Sequence, residues 1–440
     1  MQYLDINTVA GPGSVKFSTV INGKKKTIIF KGNNLETQNI GESIICAFLP
    51  VCMKINSDLH TNYSLSSVLL ESTDKIQSIY NTWNSKMQAV GVIAKKRKPM
   101  KRGKKVAAFF SCGIDSFDTL LRHIKEIDVL VYIEGYDIWL NEKKYLSSMR
   151  NKIKRVAKNY KKDIIFLKSN LHSEMDEVIE WGTYYHGAAL AAAAYLLPKE
   201  IGKVYIPSTF TYSSLFPWGS HPLLDELWGD GSLEIVHDGA ELTRAQKVIN
   251  VYSEESDFPN NFVRVCLGDR SKGDYNCSAC EKCIRTITVI GLLKQKIKPK
   301  TFVSFENFSK LIDYYSTTSI NSMTVMRMAE TITFFRNNPQ LADGQKLSLL
   351  EIKFQEIIKL GLPISFYAET TPYIPSDLLQ EPKIRDIVNN KAKIIFKKLK
   401  NIPNSIKHIA GKSGPLAMKT YQSQNIIRRK NLKRILGIKS

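Results

Sequence analysis

Two serines, a glycine and an aspartate cluster in the segment AAFFSCGIDSFDTLL, which runs from Ala107 to Leu121. An apolar run typical of a buried strand ends at this cluster, and a segment of helical periodicity follows. The first N–H groups of a helix lack intrahelical partners, so this junction can bind phosphate. Because glycine has no side chain, the anion can approach the backbone closely. The serine hydroxyls can donate hydrogen bonds to it, and the aspartate can hold Mg²⁺. The candidate nucleotide-binding residues here are Ser111, Cys112, Gly113, Ile114, Asp115 and Ser116.

Other interpretations of this junction remain open. The segment lacks the Gly-Lys-Ser/Thr of a Walker A loop and the three-glycine spacing of a dinucleotide-binding turn. An ordinary capped turn between strand and helix is the structural alternative. Cys112 could crowd the phosphate, react as a thiol, or pack in the core. We favour packing, because free cysteine usually behaves as a small hydrophobic residue.

Four of the seven cysteines are clustered: ten residues separate Cys266 from the run Cys277-x-x-Cys280-x-x-Cys283. In a cytosolic chain, such clustering favours a metal over disulfides. Four thiolates at this spacing suit a tetrahedral structural Zn²⁺, and an iron–sulfur cluster is the alternative.

Two polar segments follow later strands. Pro207–Gly231 combines aromatic rings and hydroxyls, which could stack on a planar base and recognise its edges. Its alternative is an ordinary surface loop. Glu234–Val248 places Arg244 and Lys247 three residues apart on a predicted helix, where both could hold pyrophosphate or simply lie on a solvated face. Candidate substrate-binding residues in these segments are Ser208, Thr209, His221, Asp225 and His237.

Strands and helices alternate after Lys104, which predicts an α/β fold with a doubly wound parallel sheet. Ligands of such sheets bind beyond the carboxyl ends of the strands. Glu134 and Ser169 fall at such ends and therefore join the nucleotide-binding candidates.

Changes in composition, charge and the pattern of predicted strands and helices divide the chain into four predicted regions. They are a small α+β domain over 1–94, a basic linker over 95–105, an α/β domain with the cysteine site over 106–295, and a helical region with a basic tail over 296–440.

The net charge of +22 is concentrated in two segments. Residues 95–105 hold eight basic residues and no acid, and residues 383–440 hold sixteen against one acid. Both are candidates for nucleic-acid contact, or else are solvated linkers. No apolar run is long enough for a membrane span and no signal peptide is evident, so we expect a cytoplasmic protein. An oligomer is compatible with the sequence.

The segment Ser111–Ser116 resembles the Ser-Gly-Gly-x-Asp-Ser signature of the PP-loop ATP pyrophosphatases at five of six positions, with Cys112 in place of the first glycine. Members of that superfamily cleave ATP between the α and β phosphates and use AMP to activate a carbonyl or carboxylate. The resemblance implies ATP and Mg²⁺ as ligands, with Asp115, Ser116, Arg244 and Lys247 as catalytic residues.

The cysteine cluster makes the chain similar to one PP-loop family, the 7-cyano-7-deazaguanine synthases, over about residues 104–295. That family carries a zinc site of this pattern in this order, and ELTRAQKV resembles its Leu-Thr-Lys segment, with Arg244 in place of lysine. His186 replaces an arginine that heads a helix, which makes it a substrate-binding candidate. Departures at Cys112, His186, Pro207–Ser208 and Arg244 put the substrate, more than the ATP chemistry, in question.

We therefore expect an AMP-forming ligase or synthase that activates a carboxylate or carbonyl for attack by a nitrogen nucleophile. The resemblance implies a 7-deazapurine acid, or a compound like it, as the substrate. The additional N-terminal region and the basic tail suggest an acceptor larger than ammonia: a protein, a nucleic acid or a specialised metabolite. Such an enzyme would fit a specialised or defence pathway. One alternative is a PP-loop enzyme that modifies tRNA bases. Another is an inactive PP-loop scaffold that binds nucleic acid.

Overall fold

The structure, a computed structural model, describes residues 3–254, 258–266, 275–295, 297, 299–302, 308–318 and 322–359. The chain divides into two units, of which the first ends at Ala240 and the second begins at Glu241. The predicted basic tail over 383–440 lies outside the described residues. No helix in the described ranges has the length and apolarity needed to cross a bilayer.

The first unit holds eleven strands. They are β1 (Tyr3–Leu4), β2 (Asn7–Gly11), β3 (Ser14–Ile21), β4 (Lys24–Lys31), β5 (Asp58–Ser66), β6 (Val92–Arg97), β7 (Lys105–Phe109), β8 (Val129–Glu134), β9 (Asp163–Ser169), β10 (Ile201–Pro207) and β11 (Glu234–Asp238). Eight of them form one sheet in the order β11-β10-β7-β8-β9-β4-β3-β2. The five strands from β11 to β9 are parallel, and β4, β3 and β2 continue the sheet in antiparallel pairs. Strands β1, β5 and β6 form a second, parallel sheet.

Residue pattern explains where each strand lies. The β8 segment VLVYIE is apolar except at its end, and all six residues are buried, as expected of a central strand covered on both faces. The β3 segment alternates between buried and more exposed residues, which suits a strand with one face toward the core.

Six helices belong to the first unit: α1 (Ile40–Ile55), α2 (Ser67–Trp83), α3 (Ile114–Arg122), α4 (Lys143–Asn159), α5 (Leu171–Met175) and α6 (His186–Ala194). The alanine-rich α6 is almost wholly buried and packs against the apolar α1, where the Ser43 hydroxyl donates to Ala192 O at 2.9 Å. Small side chains on α6 allow this close approach of two helices.

These elements confirm the predicted mixed α/β fold with parallel strands and helices. The predicted division at residues 94/95 does not coincide with a structural boundary, because β2–β4 extend the same sheet as β7–β11. The physical reason is the antiparallel pairing of β4 with β9, which aligns Phe30 with Ser169.

The segment over 95–105, predicted as a basic linker, is partly built into the fold of the first unit. Arg97 lies in β6, and its Nη2 donates to Glu42 Oε1 at 2.7 Å and to Asn39 Oδ1 at 3.0 Å. The buried Arg102 donates to the carbonyls of Ile201 and Leu197. Each of these two cations therefore connects segments of the first unit that lie far apart in the sequence.

The described part of the second unit is helical. Its helices are α7 (Arg244–Tyr252), α8 (Glu281–Leu292), α9 (Phe308–Thr318), α10 (Ser322–Asn337) and α11 (Gly344–Lys359). A capping box stabilises the start of α7, because the Thr243 hydroxyl accepts from Gln246 N while the Gln246 side chain accepts from Thr243 N.

Candidate functional site

The order of the parallel strands creates a crevice in the first unit. The chain passes from β7 through β8 to β9, then returns to place β10 and β11 on the other side of β7. Neighbouring strands that connect in opposite directions leave a crevice at their carboxyl ends, where such sheets bind ligands. A cavity of about 210 Å³ lies there. The predicted site residues that line it are Ser111, Gly113, Asp115, Ser116, His186 and Thr209.

The turn between β7 and α3 forms one wall of this cavity. Gly113 is the N-cap of α3 and provides no side-chain cap, so the first N–H groups of the helix are not claimed by a capping side chain. The Ser116 hydroxyl donates to Gly113 O at 3.0 Å and accepts from Ser111 N at 3.4 Å, which closes the turn. Asp115 adds a carboxylate at the cavity wall. Such a turn can hold a phosphate through backbone donors, with a cation held by Asp115.

Cys112 adopts a left-handed backbone conformation with φ of 61°, the kind of position for which glycine is favoured. Its side chain is fully buried and does not line the cavity. The thiol is therefore directed away from the space that a phosphate would occupy. Of the three interpretations of Cys112, this geometry agrees with packing in the core, at a backbone cost of about 1–2 kcal/mol.

We expect Cys112 to resist alkylation in the native protein, because its thiol is fully buried. Brief treatment with iodoacetamide, followed by mass spectrometry of peptides, should label Cys112 only after unfolding in guanidinium chloride. Cys52, equally buried in α1, is the internal control. Labelling of Cys112 in the native state, with Cys52 unlabelled, would contradict this placement and indicate an accessible reactive thiol.

Aromatic side chains form much of the rest of the cavity wall. Phe109, Phe110, Tyr132, Tyr136 and Trp181 line it. A π-helical turn over Trp181–Tyr185 precedes α6 and positions Trp181. Flat rings beside a phosphate-type turn suit a ligand that carries a planar heterocycle.

His186 enters the cavity as the first residue of α6. Its Nδ1 lies 3.2 Å from Trp181 O, and because a carbonyl can only accept, Nδ1 carries the proton. Burial lowers the pKa of His186, so the ring is neutral near pH 7. The remaining nitrogen, Nε2, is then a hydrogen-bond acceptor.

Ser220 is another residue of the cavity wall, and it contacts a buried pair of polar side chains, Asp225 and His237. The fully buried Asp225 accepts from the Ser220 hydroxyl at 2.6 Å and lies 2.7 Å from His237 Nδ1. The loop that carries Ser220 approaches α6 closely, since Gly187 N donates to Gly219 O and a Cβ on Gly187 would lie 2.1 Å from that oxygen. Asp225 and His237 therefore position Ser220 rather than line the cavity themselves.

Besides Cys112, Asp225 and His237, five sequence candidates of the first unit lie outside the lining of this cavity, and the first of them, Ile114, is fully buried. Glu134 pairs with Arg150 of α4, and Ser169 accepts from Leu171 N at 3.1 Å. Ser208 is buried beside Asp238, to whose carbonyl its N–H donates, and His221 packs against Trp83.

Asp137, Tyr136, Trp181 and Ser220 line the cavity although sequence reasoning did not select them. The signal for Asp137 was Gly135 directly after β8: with φ of 100°, this glycine turns the chain and brings Tyr136 and Asp137 to the site. Glu134, still within the strand, contacts α4 instead.

His221 predicts a pH dependence of stability. Its Nδ1 accepts from Leu223 N at 3.0 Å, and burial lowers the pKa of this imidazole to about 4, from an ordinary value of 6.5. The folded state thus binds fewer protons than the unfolded state, and the free energy of unfolding falls as pH drops from 6.5 toward 4. Urea unfolding should show a flatter pH profile for His221→Asn, which keeps an acceptor but does not titrate. Equal profiles for the two proteins would contradict this assignment.

The four predicted metal ligands meet in the second unit. Their Sγ atoms all lie within 4.8 Å of one another, and all four residues are buried. Cys280 Sγ lies 3.4 Å from Cys283 Sγ and 3.9 Å from Cys266 Sγ. A tetrahedron with zinc–sulfur bonds of about 2.3 Å has edges of about 3.8 Å, so this donor set fits zinc.

Backbone and second-layer contacts shape the cysteine cluster. Asn276 Oδ1 accepts from Val265 N and Cys266 N, which ties the two ligand-bearing segments together. Cys280 is the N-cap of α8, and Cys280 N donates to Cys277 Sγ at 3.2 Å. Burial raises the pKa of the Cys283 thiol well above its usual range, so metal binding must displace a proton there. The centre can serve as a closed structural site, with four protein ligands and no open position.

The two predicted phosphate-binding cations, Arg244 and Lys247, lie on α7 in the second unit and are buried. Arg244 N donates to Glu330 Oε1 at 2.6 Å, and Glu330 in turn pairs with Arg327 of α10. Both residues thus belong to a buried charged region of this unit.

No protein-family model matches the chain, and no curated protein sequence or solved structure does so either.

Proposed function

We propose that the first unit binds ATP in the cavity between β7 and β10 and transfers its AMP part to a carboxylate or carbonyl oxygen, with release of pyrophosphate. The observation that carries this proposal is the turn Ser111–Ser116, whose helix N-terminus, hydroxyls and carboxylate face one cavity at the strand-order crevice. The likeness of that turn to the PP-loop signature supports cleavage between the α and β phosphates.

In the proposed reaction, an acceptor oxygen attacks the α-phosphorus, the bond to the bridging oxygen breaks, and pyrophosphate leaves. A nitrogen nucleophile then displaces AMP from the activated carbon. Backbone N–H groups at the start of α3 would orient the phosphates, in a turn that the Ser116 hydroxyl closes by donating to Gly113 O. Asp115 and Asp137 would hold Mg²⁺, which neutralises phosphate charge.

The substrate end of the cavity has its own chemistry. Trp181 and Tyr136 offer ring faces, the neutral His186 offers an acceptor at Nε2, and Ser220 offers a hydroxyl. This set suits a planar, hydrogen-bonding heterocycle, and the likeness to the 7-cyano-7-deazaguanine synthases makes 7-carboxy-7-deazaguanine the first acid to try.

Pyrophosphate release tests the proposal. Purified protein with ATP and Mg²⁺ is assayed with 7-carboxy-7-deazaguanine, bulk tRNA or buffer. We expect Ser116→Ala to lower the rate about 100-fold, because it removes a hydroxyl from the phosphate turn. Ser173→Ala is a matched control: its hydroxyl also donates to the carbonyl three residues earlier, but at an exposed position of α5. Equal rates for the two variants would exclude a role for this turn in the reaction.

A further inference from the structure

A second cavity in the first unit carries a strongly cationic lining. It has a volume of about 730 Å³ and lies where the end of β8, strands β9 and β4 and the start of α4 come together. Four cations line it against the single carboxylate of Glu134. The cations are Lys31, Lys143, Arg150 and Lys168. Ile29, Leu140 and Leu146 supply an apolar surface within the same cavity.

The one carboxylate is fully engaged in holding a cation in place. Glu134 is 1% exposed and forms a two-point pair with Arg150, through Nε to Oε1 and Nη2 to Oε2. The Arg150 guanidinium also stacks over the Phe166 ring at 4.6 Å. Lys168 Nζ lies 3.7 Å from Glu134 Oε2. Glu134 therefore fixes Arg150 in position but cannot neutralise the whole lining.

The cationic surface continues along α4. This helix has seven basic residues and no acidic one within 17 residues, so it spans roughly 25 Å at 1.5 Å per residue. Its buried side chains, among them Met149 and Ile153, face the core. Lys144, Lys154 and Lys158 are exposed, and Lys143 and Arg150 belong to both the helix and the cavity.

We propose that this cavity and the exposed face of α4 bind a single-stranded nucleic acid. The cations contact successive phosphates along α4, and an unstacked base enters the cavity against Ile29, Leu140 and Leu146. The combination favours a nucleic acid over an acidic polypeptide, because a carboxylate side chain has no apolar ring to fill the cavity. This surface is distinct from the basic segments over 95–105 and 383–440, and the inference does not depend on adenylation.

Salt dependence of binding to a fluorescein-labelled single-stranded RNA of 20 nucleotides tests the proposal. The variant combines Lys31→Ala, Lys143→Ala and Lys168→Ala in the full chain. The matched control combines Lys54→Ala, Lys75→Ala and Lys86→Ala, which removes the same charge from exposed positions outside this surface and outside the basic segment over 95–105. Each lost phosphate contact lowers the slope of log K against log salt by about 0.7, so the cavity variant should lose about 2 from the slope. The control should keep the wild-type slope.

Two results would overturn the proposal. One is a slope that does not separate the two variants. An unchanged slope in the cavity variant would show that its lysines contact no phosphate, and an equal loss in both variants would show attraction by overall charge. The other is binding of poly-glutamate that is as tight as that of the RNA and equally sensitive to the cavity substitutions, which would make the surface a site for acidic polypeptides. Thermal unfolding of the variants verifies that each is folded before its slope is compared. Because these substitutions leave the Ser111–Ser116 turn intact, pyrophosphate release should be unaffected with a small acid acceptor.

Discussion

Replacement of Asp115 by asparagine is expected to lower kcat/KM for pyrophosphate release about 1,000-fold. Asp115 lies in the first turn of α3 and lines the cavity, where its carboxylate would hold the Mg²⁺ of the nucleotide. Asparagine keeps the size and the hydrogen-bonding capacity of the side chain but removes the charge. A loss of about 4 kcal/mol of transition-state stabilisation corresponds to this factor.

The matched control for this variant is Asp163→Asn. Asp163 is exposed at the start of β9 and pairs with Lys105 at 3.1 Å, so its substitution removes the same charge from the same unit without touching the cavity. We expect wild-type kinetics for this control. We expect Asp115→Asn to bind Mg²⁺ more weakly than the wild-type protein. A higher Mg²⁺ concentration should therefore restore part of the kcat/KM of this variant. Similar kcat/KM values for the two variants would show that Asp115 has no part in the reaction.

Substitution of Cys280 by serine is expected to abolish stoichiometric zinc binding and to destabilise the second unit by several kcal/mol. Cys280 is buried, contributes its Sγ to the cluster, and begins α8 as its N-cap. Apparent binding free energies for structural zinc reach about 10–16 kcal/mol, and loss of one of four ligands removes a large part of that stabilisation. Elemental analysis should find one zinc per wild-type chain and much less than one in the variant.

Cys52→Ala provides the comparison for zinc content. Cys52 is also fully buried, but it lies in α1 and outside the cysteine cluster. This variant loses a buried cysteine while its four metal ligands remain, so it should retain one zinc per chain. If the wild-type protein instead contained iron and absorbed visible light, the four cysteines would be assigned to an iron–sulfur cluster and not to zinc. Full zinc retention by Cys280→Ser would contradict the assignment of Cys280 as a ligand.

Local sequence signals predicted the cysteine cluster, and they predicted that the Ser111–Ser116 segment joins a strand to a helix. The spacing of Cys277, Cys280 and Cys283 is set within one short turn, so the sequence alone brings these ligands together. The Ser111–Ser116 turn follows from one strand end and the helix after it, and four of its residues line the cavity. In both cases the geometry depends on neighbours along the chain.

Features that depend on distant contacts were not predictable from the sequence. The pairing of β4 with β9 joins residues 30 and 169, and no local pattern in either strand specifies it. Arg97 and Arg102 resemble the other cations of their segment, yet buried acceptors from distant residues fix both. At the end of β8, a single turn at Gly135 decides that Asp137 rather than Glu134 reaches the cavity.

The most direct test of the central claim identifies which bond of ATP the protein breaks. ATP labelled with ³²P at the α position is incubated with Mg²⁺ and each candidate acceptor, and the products are separated by thin-layer chromatography. We expect the wild-type protein and Asp163→Asn to form labelled AMP, or an AMP adduct, and Asp115→Asn to form neither. Labelled ADP as the product, or unchanged ATP together with no measurable ATP binding, would contradict it.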